Sequence, residues 1–297
     1  MFRPIVFLLS LIAVLTLQSC VEYIEPEANK TVTIHTDMLS LSDSRLFEQF
    51  TKKSGIKVKI VSLPLRHIQE DLRQFNIDSE ADIILLSKGL DLIELKEKGY
   101  LYSPKKYNPK EYWQPLCIDP FILEYLADTV YFNSFKQILN DSNALVDVYK
   151  VDDFAILGHL MDGLTHLYPQ FTRKKLYATF LKKNKYRTNQ SKYVSVNLYS
   201  QRNKELDFVF PDQNKFGTLG VISGMAIHKR AKQMYNALLL YEYCRSDVWR
   251  TKMAKRTSRY PVLRYKENLK RTPRMYQIPP VSTKTAYYFF QKRLLLN

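Results

Sequence analysis

Between residues 31 and 101 the chain repeats one pattern three times, a short run of aliphatic or β-branched residues followed by a stretch with helical spacing. Residues 31–35 alternate Thr, Val, Thr, Ile and His as a strand does, and residues 44–54 place Leu46, Phe47 and Phe50 on one helix face before Gly55 stops the helix. Residues 56–62 set Ile and Val against Lys, which predicts a second strand with one face on a core. Residues 67–75 are amphipathic, 81–86 form an apolar strand, and 90–98 form a helix closed by Gly99. Strands interleaved with helices in this way predict a parallel sheet covered on both faces. In such sheets a ligand crevice lies beyond the carboxyl ends of the strands.

The amino terminus carries an address. Arg3 precedes an apolar run over residues 5–17, and the segment ends Leu17-Gln18-Ser19-Cys20, the shape of a signal peptide over residues 1–19. The run is too short for a membrane span, which needs roughly 20 residues. Its ending resembles a bacterial lipobox, so Cys20 is the expected lipidation site and residues 20–30 the tether; an ordinary cleaved signal is the alternative. Two or more acyl chains would hold the protein firmly to a membrane. With Cys20 so used, Cys117 and Cys244 remain, and they are expected as separate buried thiols.

The roughly 280 residues beyond the signal suit two lobes better than one core. The chain holds 45 Lys and Arg against 29 Asp and Glu, a formal +16, which favours an anionic ligand or an acidic membrane surface. A solvated basic surface explains the same charge. No nucleic-acid motif occurs, and an exported protein rarely meets nucleic acid, so that partner is excluded.

Further along, residues 145–148 and 193–198 read as strands, 152–166 and 172–182 as helices, and Asp152 or Asp153 as the cap of the first of these helices. Several motifs then stand in a telling order: Leu46-Phe47-Glu48-Gln49-Phe50, Gly55-Ile56-Lys57-Val58, Ala81-Asp82-Ile83-Ile84-Leu85, Lys98-Gly99-Tyr100-Leu101, Ile122-Leu123-Glu124-Tyr125, and the segment from Phe208 to Val262 with Phe-Val-Phe-Pro-Asp-Gln, Gly-Thr-Leu-Gly-Val-Ile-Ser-Gly and Arg-Tyr-Pro-Val. Their order and spacing resemble the extracellular solute-binding proteins of the iron(III) ABC-transporter type over residues 31–130 and 193–262. The resemblance implies an α/β, two-lobed type II periplasmic-binding-protein fold, each lobe a mostly parallel sheet flanked by helices. Lobe I is expected over residues 31–116 and 220–260, lobe II over 117–219 and 261–297. The short polar loop at 184–192 implies an abbreviated second lobe.

The same resemblance implies function: a lipid-anchored, monomeric binding protein that takes a small molecule or ion into an interlobe cleft and delivers it to an ABC permease. Closure is expected through residues 117–125 and 217–224. In iron-binding members a tyrosine pair grips ferric ion. Here Asn197-Leu198-Tyr199-Ser200 keeps the first phenol at Tyr199 and puts Ser200 in place of the second, and Leu39 and Ser40 stand where His and Tyr are frequent. One phenolate does not hold ferric ion in the usual way, so a small anion is the other expected ligand.

An anion would find donors in Ser40, Ser42 and Asp43 at a helix start, with Asp37 beside them, and in Ser87, Lys88 and Gly89 after the third strand. Plain capping and turning explain the same residues. Tyr125, Asn197, Gly217 and Thr218 complete the candidate cleft, with Gly217-Thr218 and Ser223-Gly224 expected to flank the returning strand. The basic run at 252–259 is expected as a solvated face. No nucleophile elbow, zinc-protease motif or phosphate loop is present, and His159 and His166, seven apart, lack a third ligand, so no enzyme is expected. The competing reading is a scaffold that lost its small ligand and became an interaction module of the cell envelope.

Overall fold

The computed structural model describes residues 30–73, 80–104, 112–125, 132–142, 144–148, 154–180, 192–263 and 275–276. The signal segment, Cys20 and nearly all of the tether, the 184–191 loop and the expected last helix at 283–296 lie outside the described residues.

The amino-terminal alternation folds as its pattern demands. Strands β1 (Thr31–Thr36), β2 (Lys57–Ser62) and β3 (Ile83–Leu86) run parallel, with β1 between the other two. Helices α1 (Glu48–Ser54), α2 (Leu65–Arg73) and α3 (Gly89–Glu97) connect and cover them. Period-two alternation in β3 feeds both faces. Ile83 and Leu85 join a core with Phe47, Phe50, Trp249 and Met253, while Ile84 and Leu86 join Ile68, Leu92 and Leu95 on the other side. The first turn of the expected helix is instead a 3-10 segment, Leu41–Phe47, because Ser40 and Asp43 close a capping box that fixes the chain's entry.

The second half holds β6 (Ala144–Asp147) parallel to β7 (Lys192–Leu198), with α4 (Phe135–Asn140), α5 (Phe154–Leu167) and α6 (Arg173–Phe180) packed on them. Between the halves run two long antiparallel strands, β5 (Gln114–Tyr125) and β9 (Thr218–His228). The β9 pairing of β5 ends at Pro120, and from Phe121 onward β5 pairs with β7 and then β8 (Asp207–Val209). Leu116 and Cys117 belong to the first core, Phe121 and Leu123 to the second; along β9, Met225 and Ile227 belong to the first and Leu219 and Val221 to the second. Each strand thus anchors both halves. Short strands β4 (Leu101–Tyr102), β10 (Tyr260–Pro261) and β11 (Met275–Tyr276) complete one sheet of eleven strands among the described residues.

Ser223 and Gly224 lie within β9 rather than beyond it, correcting the expected flanking position. Two glycines in this strand are demanded by close approach. A Cβ on Gly220 would sit 2.5 Å from Ile118 Cγ2, 3.0 Å from the Asp119 carbonyl oxygen and 3.2 Å from Pro120 Cα, and a Cβ on Gly224 would strike the Trp113 ring at 2.4 Å. Backbone atoms at Asp119 and Pro120 cannot swing aside, so Gly220→Ala is expected to cost about 1–3 kcal/mol by overpacking the crossover. Urea unfolding of that variant checks it; an unchanged midpoint would mean the strands part more easily than their spacing implies.

Helices α7 (Met234–Cys244) and α8 (Asp247–Arg256) return to the first half. Cys117 and Cys244 are both buried free thiols in the same core, and burial pushes the Cys117 thiol up to about 12. Both are therefore inert apolar filling at neutral pH.

Candidate ligand site at the junction of the two halves

The loops expected to offer donors use them internally. Asp37 accepts from the Ser87 N–H at 2.7 Å and from the Ser87 hydroxyl at 2.6 Å, tying the loop after β1 to the loop after β3. Ser40 N–H donates to Asp43 Oδ2 at 2.8 Å, the Ser40 hydroxyl donates to the same oxygen at 3.0 Å, and Ser40 and Ser42 hydroxyls lie 2.8 Å apart. The Arg256 guanidinium then pairs with Asp43 and donates to the Ser42 hydroxyl at 3.2 Å. Burial pushes the Asp43 carboxyl up, but the Ser40 and Arg256 hydrogen bonds outweigh it and hold its pKa below the usual value. Ser40 and Ser87 thus donate to carboxylates of the chain itself.

Other candidates are structural as well. Lys88 is buried with its Nζ 3.8 Å from Asp91, and Gly89 is tight because a Cβ there would meet the Trp113 ring at 2.8 Å. Its close approach serves Trp113 packing rather than a ligand. Tyr125 is 1 % exposed, and its hydroxyl donates to the Phe132 carbonyl. Asn197 is fully buried, donates to Glu124 at 3.4 Å and to the Gln201 carbonyl at 3.0 Å, and accepts from Leu198 N–H. Gly217 takes φ +90°, and the Thr218 hydroxyl donates to the Pro211 carbonyl at 2.7 Å, so this pair closes the turn around Asp212. His159 is a core histidine whose Nε2 lies 3.3 Å from the Gly220 carbonyl. The polar atoms of Tyr125, Asn197 and Thr218 are thus engaged by partners within the chain.

Tyr199 differs. It follows β7 directly, is half-buried, and meets Phe208, Phe210 and Tyr260 at centroid distances of 5.5, 5.5 and 5.4 Å. The Arg202 guanidinium lies over the Tyr199 ring, 4.2 Å from its centroid, and donates to the Tyr199 carbonyl. The Tyr199 and Tyr260 phenols share a hydrogen bond, and burial, followed by the Tyr199 contact, pushes the Tyr260 phenol up to about 12. Sequence reasoning missed Tyr260 as a site residue, because it enters through β10, whose pairing with Ile118 and Cys117 brings it next to a tyrosine some sixty positions earlier.

Ser200 is also spoken for. Its N–H donates to Asp119 Oδ1 at 3.0 Å and its hydroxyl to Oδ2, while Arg259 Nε stands 3.3 Å from the same carboxylate. Arg250 is buried and donates to the Val262 carbonyl at 2.8 Å. The basic run after residue 251 is therefore only partly a solvated face: Arg259 turns inward to pair with the buried Asp119, whereas Arg256 pairs with Asp43 while staying exposed.

The architecture has counterparts among solved structures. A Trichodesmium protein (IdiA, FutA) solved with iron and citrate matches with a TM-score of 0.69 at 16 % identity, over 90 % of this chain and 98 % of that one. A ferric binding protein from Campylobacter jejuni matches at 0.64 and 16 %, over 89 % and 98 %, and a Bordetella ferric binding protein at 0.66 and 18 %, over 90 % and 98 %. The fold is that of the two-lobed periplasmic binding proteins. No protein-family model and no curated protein matches the chain. The expected fold class holds, and the fold expected from resemblance is the one observed.

Proposed function

We propose that this protein captures a small ligand between its two halves and delivers it to the permease of an ABC importer, without covalent chemistry. The observation that carries this reading is that β5 and β9 each pass from one hydrophobic core into the other, so that two strands join the halves where a hinge would act. The similarity to ferric binding proteins supports the same role. The protein acts as a monomer, closes through residues 117–125 and 217–224, and is held to a bacterial membrane by lipid on Cys20, exposed to the periplasm or the exterior. Lobe I covers residues 31–116 and 220–260, and lobe II residues 117–219 and 261–297.

For the ligand, a small anion is favoured over ferric ion. Ferric ion calls for several anionic oxygens, whereas Tyr199 is hydrogen-bonded to a phenol whose pKa stands near 12, Arg202 lies on its ring, and Ser200 is bound to Asp119. Solution scattering and thermal unfolding with ferric citrate, phosphate, sulfate, phosphonates, thiamine, polyamines and aromatic carboxylates test the reading. Compaction with any of them is expected. A panel without response would sustain the second reading, an envelope interaction module, which the internal use of donors in the loops after β1 and β3 favours. For the anchor, Cys20→Ser is expected to move the protein from the membrane to the soluble fraction, and an unchanged membrane fraction would refute lipidation there.

A further inference from the structure

The group around Tyr199 is unlike any other aromatic cluster in the described residues. Tyr199, Phe208, Phe210 and Tyr260 contact one another, with Phe208 to Phe210 at 5.4 Å and Phe210 to Tyr260 at 5.9 Å, yet none belongs to any of the three buried cores. All four rings are half-buried. Four large rings gathered at the surface, where each leaves apolar area in water, mark a binding face more often than a fold requirement. They also come from both sides of the crossover. Tyr199, Phe208 and Phe210 follow or lie in strands of the second half, whereas Tyr260 follows α8 and pairs with the part of β5 held in the first.

A cation sits on this face, Arg202. Arg202 is half-buried, one of its terminal nitrogens donates to the Tyr199 carbonyl, and no carboxylate among the described residues pairs with it. Its remaining N–H groups are unassigned donors with a fixed orientation, which suits a carboxylate or similar planar oxyanion. Two buried carboxylates border the group and both are engaged: Asp119 by Arg259 and Ser200, and Glu124, opposite Phe208, by the Asn203 N–H and the Asn197 amide. Burial pushes the Tyr260 phenol up to about 12, so at physiological pH it adds a hydroxyl rather than negative charge.

We propose, resting on the binding function above, that Tyr199, Phe208, Phe210, Tyr260 and Arg202 form a platform for a planar organic anion, its flat face on the rings and its charge on Arg202. A planar conjugated carboxylate satisfies both halves of the platform at once. A saturated ring offers no face to stack, and a planar cation meets the arginine. Because the rings span the crossover, an occupied platform also ties ligand to hinge position.

The test is titration calorimetry on the purified protein with 2-naphthoate as the probe, beside cyclohexanecarboxylate, benzylammonium and ferric citrate. Naphthoate is expected to bind, with cyclohexanecarboxylate weaker by about tenfold or more and benzylammonium silent. Arg202→Gln is expected to weaken naphthoate by about tenfold or more, since a charge-assisted hydrogen bond is lost. Phe208→Leu, which keeps the charge, should weaken naphthoate more than cyclohexanecarboxylate. Each variant's thermal unfolding is followed in parallel, so a misfolded variant is recognised and the other decides. Equal affinity for Arg202→Gln, binding of benzylammonium or ferric ion in place of naphthoate, or a silent naphthoate titration would overturn the platform. Compaction by another ligand that Arg202→Gln leaves intact would sink the platform alone, whereas silence from every ligand would sink the transport reading with it.

Discussion

Asp119→Ala is expected to destabilise the protein by about 3–5 kcal/mol, the loss that follows when one member of a buried ion pair is removed. The Asp119 residue is 1 % exposed and sits on β5 where that strand leaves β9 for β7. Its carboxylate holds the Ser200 N–H and hydroxyl from the second half and faces Arg259 from the first. Burial pushes its pKa up, with Arg259 and Ser200 opposing. The two members of the pair differ in what they can do alone. In an Arg259→Ala variant the carboxyl can take up a proton and become neutral. In Asp119→Ala the guanidinium, with a side chain only 13 % exposed, cannot shed its charge. The expected order is therefore a larger loss for Asp119→Ala than for Arg259→Ala, read from denaturant unfolding at neutral pH. Equal losses, or a loss below about 1 kcal/mol for Asp119→Ala, would show that the pair contributes no more than a surface contact.

Acid should weaken the protein through His159. Burial lowers its pKa from 6.5 to about 4, the Gly220 carbonyl contact opposing. A depressed histidine is neutral in the fold, so its contribution is fully present above pH 6.5 and is lost as pH falls toward about 4, amounting to about 3 kcal/mol over that window. His35 and His228, also lowered by burial, act in the same direction. Asp82, Asp119 and Asp212, whose pKa values burial raises, act in the opposite one: each favours the fold more as pH drops through its raised value. A single acid titration mixes these effects. The difference between wild type and His159→Leu isolates one: the variant is expected to lose less stability between pH 7 and 4, by up to about 3 kcal/mol. Parallel stability curves for the two proteins would mean His159 stays neutral without cost or finds a partner on protonation.

Much of the first half was legible. Alternation at 31–35 and 56–62, the apolar run at 81–86 and the stops at Gly55 and Gly99 placed three strands and three helices to within a few residues, because local pattern and final burial agree there. The site was less legible, and for one reason. Whether a hydroxyl or carboxylate faces a ligand depends on which partner reaches it first, and those partners are remote in sequence. Asp37 meets Ser87, Asp43 meets Arg256, and Asp119 meets both Ser200 and Arg259. Tyr199 among the thirteen candidates stays half-buried within an aromatic group, and its companion Tyr260 was hidden inside a motif read only for resemblance.

By itself the sequence determined an α/β chain with strands between amphipathic helices, since period, residue size and hydrophobicity act over a few neighbours. Tertiary structure alone decided which charges cancel and which phenols meet. Those outcomes come from β5 and β9 carrying one core into the other and bringing residues sixty to two hundred positions apart into contact, a distance no local pattern encodes.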